Sequence, residues 1–169
     1  MITKNNKVNK VESLPSIMER GVGVILLNSI WESLGNLDMS RFKDRLLLQK
    51  RVFLLQELGM DLGYEFRKYI HGPYSSSLAK DGFALEIKNN SNNENAESFF
   101  EKLAELEKGH EGESKWLELL ATIAYLRNKM EKKKSEIRLI IDEEKPYLSE
   151  DELIEEAYSR LINIGVIKD

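Results

Sequence analysis

Residues 46–85, LLLQKRVFLLQELGMDLGYEFRKYIHGPYSSSLAKDGFAL, constrain the fold of this chain more than any other stretch. Leu47, Leu48, Val52, Leu54, Leu55 and Leu58 recur at helical spacing. They predict a helix over 40–58 with Asp38 or Ser40 as its cap and Gly59 at its end. Over 64–70 the period changes: Tyr64, Phe66 and Ile70 fall on one side of an extended chain, with Glu65, Arg67 and Tyr69 opposite. That alternation predicts a short, half-exposed strand. His71-Gly72-Pro73 then turns the chain, because proline fixes φ and disfavours helix in the residue before it. Ser75 or Ser76 can cap a short helix running to Leu85. A chain that moves from helical to alternating period and back within this span builds helices around a small sheet.

Helical periodicity fills most of the remainder. Ser13 and Pro15 suit the start of a first helix, in which Ile17, Val24, Ile25, Leu27, Trp31 and Leu34 form a mostly buried surface. Gly21 and Gly23 inside it mark close packing or a kink. Further helices are expected over 96–108 (Phe99, Phe100, Leu103, Leu106) and 116–130 (Leu119, Leu120, Ile123, Ala124, Leu126), then a shorter one carrying Ile137, Leu139 and Ile140. Ser149 and Glu152 read as a capping box opening a last helix, with Gly165 as its C-cap and Val166-Ile167 as a closing strand. Residues 1–12 lack periodicity and read as a flexible tail. Residues 13–169 read as one compact domain, its sub-units 13–88 and 96–169 joined by the polar linker 89–95, NNSNNEN. The fold class expected is α+β and mainly helical: a winged-helix-like helical core with a small β-sheet.

With 169 residues, 41% of them hydrophobic and 32% charged, there is enough apolar material for a core. The net charge of -4 argues against a protein that coats nucleic acid non-specifically. The absence of cysteine removes disulfides, thiolate metal sites and cysteine nucleophiles. The polar start and the short, interrupted apolar run over 21–31 suggest no membrane span and a cytoplasmic protein. No phosphate-binding loop, dinucleotide loop, nucleophile elbow or zinc-binding helix motif occurs, and His71 and His110 lie far apart. Glu101, Glu105, Glu155 and Glu156 sit at solvent-facing helix positions, where carboxylates are solvated charge. The expectation is a non-enzyme without a cofactor or metal.

Two segments resemble a known pattern. Leu48, Gln49, Lys50, Phe53, Leu54 and Leu55, then Tyr64 and Phe66, then Gly72, Pro73, Tyr74 and Ser75 follow the L-Q-K-x-x-Y-L-L … G-P-Y-S pattern of small prokaryotic proteins related to YwgA and to the Panacea (SocA-like) antitoxin domain. Lys145, Pro146 and Ser149, with Leu161, Gly165, Val166 and Ile167, resemble the C-terminal part of that pattern. Phe53 stands where tyrosine is usual, and Lys50 is followed by a second cation, Arg51. The resemblance covers about half the chain. It implies an adaptor or toxin neutraliser, hence a protein partner whose identity it does not supply.

The partner-binding candidates are Tyr69, His71 and Tyr74, since tyrosine joins a large contact area to a polar tip. The turn has a conformational reading as well, in which Gly72 and Pro73 set its shape, Tyr74 plugs the core and Ser75 caps the next helix. The alternative is a winged-helix-type transcriptional regulator contacting DNA through Arg41, Lys43, Arg45, Lys50 and Arg51 on one helix, with Lys129 and Lys132–Lys134 as a second basic patch. It is not favoured, because the last helix opens on Glu150-Asp151-Glu152, the wrong charge for phosphates.

Overall fold

The computed structural model describes residues 14–85 and 94–169, so the expected tail and residues 89–93 of the expected linker lie outside the described residues. The chain runs α1 (Leu14–Ile30), α2 (Phe42–Glu57), β1 (Arg67–Tyr69), β2 (Gly72–Tyr74), α3 (Ser76–Ala84), α4 (Glu97–Glu107), α5 (Ser114–Asn128), α6 (Lys134–Glu144) and α7 (Asp151–Ile164). Single 3-10 turns occupy Glu32–Leu34, Glu94–Ala96 and Pro146–Leu148. The fold is α+β and mainly helical, with one small antiparallel sheet.

α2 and α5 form its centre. Residues 47–55 other than Arg51 are buried, as are all of 116–124, so both helices are enclosed on nearly every side. They pack on each other. α3, α4 and β2 complete the shell of α2, and α6, α7 and β2 that of α5. The buried apolar side chains of both halves of the chain belong to one cluster, from Leu27 and Leu34 through Phe53 and Leu78 to Leu161 and Ile167. α4 and α7 are amphipathic and contribute Leu103 and Leu106, and Ile154, Ala157 and Leu161.

The first helix is close-packed at Gly23, where a Cβ would lie 2.8 Å from the Leu62 carbonyl oxygen; Gly21 faces open space. Ile25, expected inside, is exposed on the opposite side of the turn from Leu27, and Leu139 of α6 is exposed likewise. α2 begins at Phe42 without a side-chain cap. Asp38 is occupied by its own turn, accepting from Ser40 N at 2.9 Å, and Ser40 stands too early. The Ser149–Glu152 capping box does not form either. Pro146 starts a 3-10 turn, and the Ser149 hydroxyl donates to the Pro146 carbonyl at 2.9 Å, one residue short of the cap position. Gly165 does close α7, with φ +84. Val166 and Ile167 are buried but form no strand, because both amides are drawn back onto the Leu161 carbonyl. No closing strand follows α7 among the described residues, and the sheet, which stands between α2 and α3 in the chain, packs on α2 and α5.

That sheet is a hairpin in the register Arg67↔Tyr74, Lys68↔Pro73, Tyr69↔Gly72. The strand expected over 64–70 starts three residues later, and Pro73, expected in the turn, belongs to the second strand. Reversal falls on Ile70 and His71 and is completed by Gly72 at φ +82. Ile70, expected on the buried side, is thus the hairpin tip and 69% exposed. Tyr64 is buried as expected, its hydroxyl donating to Asp81 at 2.9 Å.

Candidate interaction face around the hairpin

The hairpin is too short to hold itself, since an isolated pair of strands is marginal in water. Four side chains from other elements fasten it. Gln49 of α2 grips Ser75 on both sides, its Nε2 donating to the Ser75 carbonyl at 2.9 Å and its Oε1 accepting from Ser75 N at 2.8 Å. Lys50 Nζ donates to the Pro73 carbonyl at 2.7 Å. Lys145, at the end of α6, donates to the Ile70 carbonyl. The Tyr125 hydroxyl of α5 accepts from Lys68 N at 3.1 Å. Ser75 then caps α3, its Oγ accepting from Leu78 N at 3.4 Å. The Gln-Lys and Gly-Pro-Tyr-Ser segments are thus physical partners.

Beneath the hairpin lies a buried charged cluster. Glu118 of α5 accepts from Lys145 Nζ at 2.7 Å and from the Tyr147 hydroxyl at 2.6 Å, and its other oxygen lies 3.5 Å from His71 Nδ1. Burial, and then the bond to Glu118, raises the Tyr147 phenol above the ordinary tyrosine range. Lys50 is 1% exposed. Burial lowers its amine to about 7, Lys145 adds to the fall, and Glu118 opposes it.

This has a sign that can be measured. Unfolded, Lys50 holds its proton to the ordinary value of 10.5; folded, it releases it near 7. Between those limits the unfolded state binds more protons, so stability rises with pH. From pH 7 to pH 9 the gain is expected to be roughly 2 kcal/mol. Urea unfolding across that range should show the rise in the native protein and its loss in Lys50→Met. Equal slopes in the two proteins would remove Lys50 as its source.

The outer side of the hairpin is different. Tyr69, Ile70 and Tyr74 are exposed, with Phe42 from α2 beside them and Phe83 from α3 63% exposed. The Tyr69 and Tyr74 rings pack on each other at 5.3 Å, and Phe42 meets the edge of His71 at 5.6 Å. Phe42, Tyr69, His71, Tyr74 and Phe83 share the wall of a cleft of about 180 Å³ with Met39 and Leu46. That suits one large apolar side chain. The three expected partner-binding residues are brought together here, and Tyr74, expected as a core plug, is at the surface. Phe42 and Phe83 were not singled out from the sequence, and Ile70 was expected on the buried side of the strand. Phe42 and Phe83 lie at helix positions that periodicity alone reads as ordinary.

The five cations expected to cluster on one helix are dispersed. Lys50 is inside, and Arg51 is committed to a two-pronged ion pair with Glu107 of α4, with both distances 2.7 Å. Arg45 donates to the Met39 and Ser40 carbonyls, leaving Arg41 and Lys43 exposed. In the second patch Lys129, Lys132 and Lys134 pair with Glu57, Glu136 and Glu155. Among the described residues no group of three His, Asp or Glu side chains is placed to hold a metal ion, and no helix is long and apolar enough to cross a membrane.

Comparison with family models, curated proteins and solved structures found no match to this chain. The likeness to the YwgA and Panacea pattern rests on the residues quoted above alone.

Proposed function

We propose that this chain is a non-enzymatic protein-interaction module, antitoxin- or adaptor-like, which engages its partner through the outer face of the hairpin. The observation that carries the reading is the gathering of Phe42, Tyr69, Tyr74 and Phe83, all exposed, around one apolar cleft, with Ile70 exposed at the hairpin tip. Contiguous apolar surface of this kind marks a place where another molecule sits. Aromatic side chains in such positions are the usual anchors of protein interfaces. The resemblance of residues 46–85 to adaptor and antitoxin proteins supports the same reading. The fastenings of the hairpin support it too, because a preorganised face loses less entropy on binding.

Affinity capture from native extract tests it. A specific partner should be retained by the native chain and by Leu139→Ala, an exposed apolar residue on α6, and lost from Tyr74→Ala and Phe83→Ala. A partner lost equally from all three variants, or from none, would count against the face. The DNA-binding alternative is tested in the same preparation by titrating duplex DNA at two salt concentrations. Sequence-selective binding abolished by Arg41→Glu would replace the proposal.

A further inference from the structure

We propose that the occupant of this face is an acidic segment of a partner protein, with one large apolar side chain seated in the cleft between Phe42, Tyr74 and Phe83. The proposal rests on the interaction reading above and adds the chemistry of the partner.

Charge carries the inference. No acidic side chain lines the cleft, although the chain as a whole is acidic, with a net charge of -4. Cations neighbour its wall residues. Lys43 follows Phe42 on the exposed first turn of α2. Arg67 is the cross-strand partner of Tyr74, so the two side chains share one face of the hairpin. Lys80 stands one helical turn before Phe83. All three are exposed, and none has a carboxylate partner among the described residues. Arg41 approaches Asp44 only at 4.0 Å, and Arg45 is bonded to carbonyls rather than to a carboxylate. By contrast, Lys68 pairs with Glu144 at 2.7 Å on the same hairpin, and three lysines of the second basic patch each face a glutamate. An apolar cleft whose wall residues have cations without carboxylate partners as neighbours complements an apolar anchor flanked by carboxylates.

The manner of docking is also restricted. Strand addition needs unpaired main-chain groups along a strand edge. Here Lys68 N is bonded to Tyr125, the Pro73 carbonyl is bonded to Lys50, and Pro73 has no N–H. The segment therefore binds through side chains.

Single-stranded nucleic acid is the competing occupant, since it too seeks aromatic rings among cations. A base-stacking platform needs open ring faces. The Arg45 guanidinium already lies over the Phe42 ring at 5.7 Å, and Tyr69 and Tyr74 pack on each other. What remains open is a concave apolar cleft, which receives a side chain better than a flat base.

The test is a selection of random twelve-residue displayed peptides on the folded full-length chain at low salt, followed by fluorescence titration of the best binders. The expected peptides carry a leucine, isoleucine, phenylalanine or tryptophan flanked by aspartates and glutamates. Their affinity should fall about tenfold with Phe83→Ser and about tenfold with the double variant Lys43→Glu/Lys80→Glu. It should also weaken as salt is raised. All three side chains are exposed, so unchanged thermal melts are expected to accompany these losses. Peptides that bind this face but are neutral or basic would overturn the acidic partner while leaving the interaction reading standing. Peptides indifferent to Phe83→Ser, or no binders at all, would overturn both. An oligothymidylate bound more tightly than the best peptide, and lost with Phe83→Ser, would give the face to nucleic acid instead.

Discussion

Replacing Glu118 with leucine is expected to lower the free energy of unfolding by roughly 3–5 kcal/mol, the cost of removing one member of a buried ion pair. Glu118 and Lys145 are each nearly inaccessible, and the Lys50 amine also feels the Glu118 charge. Without the carboxylate, the Lys145 ammonium is left buried without its counter-charge, and the Tyr147 hydroxyl loses its acceptor. The companion variant distinguishes an unpaired charge from lost packing. Adding Lys145→Met to Glu118→Leu removes the orphaned ammonium, and apolar replacement of a whole buried pair is often close to neutral. Denaturant unfolding should therefore show the double variant to be more stable than the Glu118 variant alone. A double variant with the sum of the two single losses would show that the two residues act independently.

Gly72→Ala is the second large effect. At φ +82 an alanine there adopts the left-handed region, which costs about 1–2 kcal/mol. Its Cβ would also stand 2.8 Å from Thr122 Oγ1 and 3.5 Å from Lys50 Nζ. Overpacking of this kind adds about 1–3 kcal/mol. Gly63 separates the two contributions, since its φ is +73 but nothing lies within 4 Å of a Cβ built there. Thermal and urea unfolding should place Gly72→Ala well below Gly63→Ala, and equal losses would show that α5 makes room.

The residues that announced themselves in the sequence were those acting locally. Tyr64 inside, Ser75 as a cap, Gly165 as a helix end and the helices of the second half all follow from spacing within a few residues. Some local expectations failed on local competition, as at Ser149, whose hydroxyl turns back to Pro146. The failures at the candidate site depended on partners distant in the chain. Lys50 reads as a surface cation because lysine on a helix usually is one. It is buried because the Pro73 carbonyl, 23 residues away, needs a donor. Arg51 reads as part of a basic patch until Glu107, 56 residues away, is placed beside it. The hairpin was displaced for a related reason: alternation gives the period of a strand but not its ends, which here are set by the left-handed conformation of Gly72 and by Lys145 drawing in Ile70. The three expected face residues do meet. Phe42 and Phe83 join them only through tertiary packing, and that carries no local signal.

The four side chains that fasten the hairpin all hold main-chain atoms: the amide of Lys68, the carbonyls of Ile70 and Pro73, and both peptide groups of Ser75. Outward-pointing Arg67, Tyr69, Ile70 and Tyr74 take no part in the attachment. A grip on the backbone is indifferent to the identity of the side chains above it. The outer surface of the hairpin is thus free to change its alphabet, one substitution at a time, while the frame beneath stays put. Such a scaffold can change its outer surface without being refolded, as a rigid framework supports interchangeable loops.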